Sequence, residues 1–161
     1  MTPTAAAGFR HDVANWVLSL PVAAAFGLVF DELTDGRAVT RVFWRPEHSH
    51  TPGAFQASPV ATLADFTGAA AAATLLPPGS SLATVDYTAK FLTEARGEQL
   101  LARGRVLRPG STLTVASVDV YAVTNGSDTF CATALVTVRN FPAPLTSPAA
   151  LGTPAAAEQP K

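Results

Sequence analysis

The sequence predicts an α+β fold: a curved antiparallel β-sheet wrapped around a long central α-helix, with an N-terminal helix ahead of them. Three observations carry this. Residues 59–76 are apolar nearly all round and hold no proline after Pro59, which marks a buried helix. From Leu82 onward, bulky and polar residues alternate with period two. Asp35-Gly36 and Asn125-Gly126 sit between such runs, and these dipeptides are strong hairpin signals. A curved sheet with one apolar face must cover that face, and the long helix is the only element able to do so.

Residues 1–8 are small and unpatterned, and read as a flexible N-terminal arm. Phe9 to Leu20 places Val13, Trp16, Val17 and Leu20 at helical spacing, and Pro21 interrupts that helix. A short turn through Val22 to Phe26 follows and ends at Gly27. Leu28 to Leu33 and Arg37 to Arg45 read as a hairpin across Thr34-Asp35-Gly36. After a loop comes the long helix. Ser58 is a good N-cap and Pro59 a good first helical residue, because proline's missing N–H is not needed there. The run from Ala69 to Ala73 adds strong helix propensity, and Pro77-Pro78-Gly79 stops the helix. Four strands then follow: Leu82 to Leu92, Gln99 to Leu107, Thr112 to Val123 and Thr129 to Val138. Residues 9–141 thus read as one domain, and 142–161, rich in Pro and Ala with few bulky residues, as a disordered tail.

Composition narrows the function classes. The chain has 161 residues, 48% hydrophobic and 14% charged, enough for one real core. A net charge of -1 offers no electrostatic footprint for nucleic acid or an anionic membrane, so neither partner is expected. The single cysteine, Cys131, cannot form an intramolecular disulfide and reads as a small buried residue. No basic segment followed by an apolar core opens the chain, and no apolar run nears the roughly 20 residues of a membrane span. A cytoplasmic protein is the expectation. His48-x-His50 has metal-like spacing but no third ligand nearby, so no metal is expected.

One residue stands apart. Asp65 is the single charge inside the apolar helix, and a lone carboxylate there is costly unless it has a partner or a task. Around it the spacing reads His50-x-x-Gly53-x-x-Gln56-Ala57-Ser58, then Leu63 and Asp65. This resembles the motif of the PaaI-type acyl-CoA thioesterases of the hot-dog superfamily, Asn-x-x-Gly-x-x-His-Gly-Gly followed by a leucine and a helix aspartate. Here Asn is replaced by His50, His by Gln56, and Gly-Gly by Ala57-Ser58. Val85-Asp86 with Lys90-Phe91-Leu92, and Val106-Leu107-Arg108-Pro109-Gly110, resemble two later family segments, so the likeness runs from Leu20 to Asn140.

The resemblance implies hydrolysis of an acyl-CoA to a carboxylic acid and free coenzyme A, with no cofactor beyond the coenzyme A of the substrate. Asp65 would be nucleophile or general base. The N–H of Ala57, at the positive end of the helix, and the side chain of Gln56 would stabilise the oxyanion. One such donor is worth about 3 kcal/mol of barrier. Thr84 would place the water, and His50 completes the catalytic set. Gly53 and Ser58 would line the substrate, and Arg105 and Arg108 would hold coenzyme A phosphates. The resemblance also implies a homodimer, pairing further into a tetramer. Each assignment has a plainer competitor: Asp65 as an interface ion pair, Gln56 as an ordinary loop residue, the arginines as solvated surface, and Trp16 and Trp44 as core or interface. The alternative function is a hot-dog protein that binds acyl-CoA or fatty acyl ligands without hydrolysing them. A dehydratase fits less well, because no histidine follows His50.

Overall fold

Alanine-rich, with ten of its seventeen residues buried, the stretch 57–73 forms a helix that fills the core. A computed structural model describes residues 8–142, and in it this helix, α3, spans Ala57–Ala73. Before it come α1 (His11–Leu18), α2 (Pro21–Phe26), β1 (Val29–Thr34), β2 (Arg37–Phe43), a 3-10 turn (Pro46–His48), β3 (Ser49–Thr51) and β4 (Ala54–Phe55). After it come β5 (Ser81–Phe91), β6 (Gln99–Arg108), β7 (Leu113–Thr124) and β8 (Ser127–Phe141). Six strands form one antiparallel sheet in the order β1-β2-β6-β7-β8-β5, and β3-β4 pair separately. The helix packs against β2, β5, β6, β7 and β8, so the sheet curls around it. This is the hot-dog fold. The expected arm, apart from Gly8, and the expected tail after Pro142 lie outside the described residues. Among the described residues no helix is long and apolar enough to cross a membrane.

Both predicted hairpins form where the dipeptides place them. Asp35 and Asn125 take φ of 46° and 50°, and Gly36 and Gly126 follow at 75° and 76°, the left-handed pair of a type I′ turn. The helix meets the sheet closely. Gly68 has no room for a side chain: a Cβ there would lie 2.7 Å from Val136 Cβ and 3.2 Å from Val118 Cγ2. Around this contact Leu63, Val42, Leu100, Val118, Val120, Val136 and Val138 are fully buried. Truncating Leu63 to alanine would cost about 2–5 kcal/mol on that packing. Thr67, the buried polar residue of the helix, donates to the Leu63 carbonyl at 2.5 Å and pairs with the Thr40 hydroxyl at 2.6 Å, so neither hydroxyl is stranded. Cys131 is buried as expected, and burial pushes its thiol up to about 11.

The helix boundaries differ from the expectation. The N-cap is Gln56, not Ser58, and no side chain caps the first turn. At the other end the helix stops at Ala73, three residues short of Leu76. There Thr74 turns its hydroxyl back to the Ala71 carbonyl at 2.7 Å and accepts the Gly36 N–H, also at 2.7 Å. The Arg10 guanidinium then donates to the carbonyls of Thr74 and Leu76 at 2.6 and 3.0 Å. A cation on the last carbonyls satisfies them and complements the negative end of the helix dipole.

Candidate active site

The loop before α3 is tied down at several points. Gly53 sits at its tip with φ of 76°, a conformation that disfavours any side chain. Its carbonyl accepts the Gly97 N–H at 3.0 Å, and the Phe55 N–H donates to the Ala95 carbonyl at 2.8 Å. The Gln56 N–H donates to the His48 carbonyl, also at 2.8 Å. His48 is itself buried, its ring 4.9 Å from that of Phe26. Burial, reinforced by Arg45, lowers its pKa, so it is neutral at pH 7 and acts as a fixed post for the helix start.

The helix end is defined by which of its N–H groups are already spent. An α-helix leaves its first four N–H groups without internal partners. Here Gln56 has spent its own on His48, and Pro59 has none. Ala57 and Ser58 remain, both exposed and without a backbone partner among the described residues. Ser58 is therefore not a cap but the second helical residue, offering an N–H. The two free donors and the positive end of the dipole point outward at one place, an arrangement suited to an oxyanion.

Asp65 lies two turns further along. Its carboxylate is half-buried and accepts a hydrogen bond from the Thr84 hydroxyl of β5 at 2.8 Å. Burial pushes its pKa above the ordinary carboxylate range, and the Thr84 bond pulls it part of the way back. It borders a small cavity that also touches Trp16, Leu20, Phe66 and Leu82. A carboxylate held this way can take a proton from water or attack a carbonyl carbon.

The expected site residues thus fall into separate groups. Asp65 and Thr84 come together. Gln56, Ala57 and Ser58 come together at the helix start, whereas Gly53, at the hairpin tip before them, lines a separate depression with Trp44, Arg96 and Gly97. The rise of the helix puts roughly 11 Å between the free N–H groups and Asp65 within one chain. His50 belongs to neither group: it is exposed on β3, its Nε2 3.9 Å from the Glu94 carboxylate that Arg96 also grips. Arg105 alternates with Gly104, which packs on Thr67 of α3, so Arg105 points to the opposite face of the sheet, where it lines a depression with Arg103 and Tyr121. Arg108 is exposed at the end of β6. No group of three or more metal-ligating side chains exists among the described residues. Trp16, read from sequence as core or interface, and Leu20, read as a helix position, wall the Asp65 cavity. The signal was their spacing on an amphipathic helix, but what that helix covers is visible only in three dimensions.

Comparison with known proteins places the fold in a family. Residues 59–129 match the family described as the thioesterase superfamily. The chain is 30% identical over 107 residues, 63% of its own length and 70% of the other's, to a curated protein of Halobacterium salinarum that carries a provisional esterase name. A solved thioesterase family protein from Silicibacter pomeroyi is 30% identical and superposes with a TM-score of 0.77, covering 81% of this chain and 96% of that one. A thioesterase from Haemophilus influenzae, 17% identical, shares the fold at a TM-score of 0.70 over 80% and 87% of the two chains. The chain belongs to the thioesterase superfamily. That membership, with relatives named esterase or thioesterase, supports a hydrolytic activity on a thioester or ester bond.

Proposed function

We propose that the protein is a PaaI-type acyl-CoA thioesterase in which Asp65 acts as nucleophile or general base, on a site shared between two chains. The observation that carries this is Asp65 itself: a carboxylate on an apolar helix, its pKa raised by burial, facing a cavity and steadied by one hydroxyl. The thioester carbonyl would sit against the Ala57 and Ser58 N–H groups, with the Gln56 side chain as a further donor. The oxyanion would form there while Asp65 attacks, or deprotonates a water, from the other side.

Within one chain the two ends stand roughly 11 Å apart, whereas a base must come within about 3 Å of its target. Two helices related antiparallel by a two-fold axis would bring each Asp65 to the other chain's Gln56-Ala57, giving two identical sites. The edge of the sheet supports such pairing. β5 has a strand on one side only. Tyr87 and Phe91 lie opposite the buried Val136 and Ala132, so they share the concave, helix-bearing face, yet they are 43% and 51% exposed. Aromatic side chains left open on a concave face await a cover, and a second copy of this chain would supply it.

The second reading, acyl binding without hydrolysis, is favoured by the donor end, where Gln56-Ala57-Ser58 stands in place of the family's His-Gly-Gly. Free thiol release from a panel of acyl-CoAs decides between the two. Complementation tests the shared site. Ala57 is the first helical residue and Gln56 before it is extended, at φ -65° and ψ 155°, so Ala57→Pro deletes one N–H with little disturbance. Asp65→Asn and Ala57→Pro chains, each inactive alone, should regain about a quarter of wild-type activity on random exchange, since half the dimers are mixed and each has one good site. Proven exchange with no activity, or an active monomer, rules out the shared site.

A further inference from the structure

The cavity beside Asp65 does not end in solid protein. Asp65, Ala69 and Ala73 are four residues apart and form one row along α3, about 12 Å long at 1.5 Å per residue. The first chamber, about 150 Å³, follows this row. A second chamber of about 280 Å³ begins where it stops, and runs to Arg10, Leu76, Pro77 and Ser80. Trp16, Ala73 and Leu82 border both. At that level the indole of Trp16 is the largest side chain and Ala73 the smallest. Trp16 is held there by α1, whose neighbouring Val13 and Val17 are buried against the core.

We propose that Trp16 sets the acyl chain length this protein accepts: the acyl group lies in the first chamber, and the indole stops it short of the second. This rests on the thioesterase reading above. Two limits then compete. An extended chain advances about 1.2 Å per bond, as a backbone does when three bonds cover about 3.5 Å, so the row alone would admit nine or ten carbons. Volume is stricter. An apolar cavity of about 150 Å³ holds a group the size of benzene. The smaller limit decides, which gives about six carbons beyond the carbonyl, alkyl or aryl. The second chamber is larger, and only its far end is charged: Arg10 is gripped there by the Asp12 carboxylate at 2.7 and 2.8 Å and fixed to the end of α3, so the indole is what a chain leaving the first chamber meets first.

The experiment is a chain-length profile of kcat/KM on acetyl-, hexanoyl-, octanoyl- and dodecanoyl-CoA. The wild type should peak at hexanoyl or octanoyl and fall at least tenfold by dodecanoyl. Each extra buried methylene is worth about fourfold. Trp16→Ala should therefore raise the dodecanoyl-to-hexanoyl ratio by tenfold or more, and Trp16→Leu by less. Ala69→Leu, which fills the first chamber from the other side, should lower the hexanoyl-to-acetyl ratio. Ratios on one preparation are insensitive to the fraction folded, and Trp16→Leu with Ala69→Leu keeps the test sharp if Trp16→Ala does not fold. A wild type inactive on the whole panel would overturn the thioesterase reading and this proposal with it. An active wild type whose profile Trp16→Leu and Trp16→Ala leave unaltered would overturn the proposal alone.

Discussion

The two sides of α3 are built from the same small residues and are put to opposite uses. Toward the sheet, Gly68 and Gly104 let backbone approach backbone so closely that one added methyl group would collide with Val136 or Thr67. That side is close-packed, and the Thr40–Thr67 pair is sealed inside it. Toward α1 and β5, Ala69 and Ala73 face open chambers, and the one carboxylate of the helix opens into the first. Alanine is neutral in this. What differs is the element across from it: strands that come within contact distance on one side, a short helix carrying an indole on the other. A surface left underfilled forgoes dispersion contacts, and a ligand can supply them.

Asp65→Asn tests the open side most severely. With the charge gone and the shape kept, hydrolysis should fall by an order of 10² or more. Stability should move the other way. The folded protein binds a proton on Asp65 more tightly than the unfolded chain does, so ionisation costs stability as pH rises through the raised pKa. The variant should therefore melt higher than wild type at neutral pH, and the gap should close on acidification. A lower melting temperature at pH 7 would mean that Asp65 serves the fold. Gly68→Ala tests the closed side. Overpacking costs about 1–3 kcal/mol and the better helix propensity returns up to about 1. The net loss should lower Tm by about 3–6 °C in thermal unfolding, with the acyl-chain profile unaltered at 25 °C. The smallest effect belongs to Thr84→Val. Its hydroxyl favours the ionised carboxylate, so removing it should shift the acid limb of the kcat/KM profile to higher pH.

How much of this was legible in the residues depended on how local the cause was. The two type I′ turns were readable because Asp-Gly and Asn-Gly meet a purely local demand. Helix α3 was readable from its composition, but not its ends. Ser58-Pro59 reads as a cap, yet the cap is decided by the His48 carbonyl, which claims the Gln56 N–H. The last turn is decided by Arg10, more than sixty residues away. The same divide runs through the site. Asp65 was conspicuous as a lone charge on an apolar helix. Trp16 was not, because the wall it forms exists only once α1, α3 and β5 are assembled. The short β3–β4 pair carries too few residues for any pattern to show.

The chambers under α1 have a consequence for how the molecule breathes. Stability is not uniform across a structure, and a segment with few buried contacts opens on its own at a small fraction of the global free energy. α1 contributes only Val13, Ala14 and Val17 to the buried set, and hollow space runs beneath it on the side of α3. At its start Arg10 ties it down twice, the guanidinium to the last carbonyls of α3 and the backbone N–H to the Leu33 carbonyl. In hydrogen exchange, the amides of residues 14–19 should exchange well before those of β7 and β8. Arg10→Gln should accelerate them further while leaving the sheet protected.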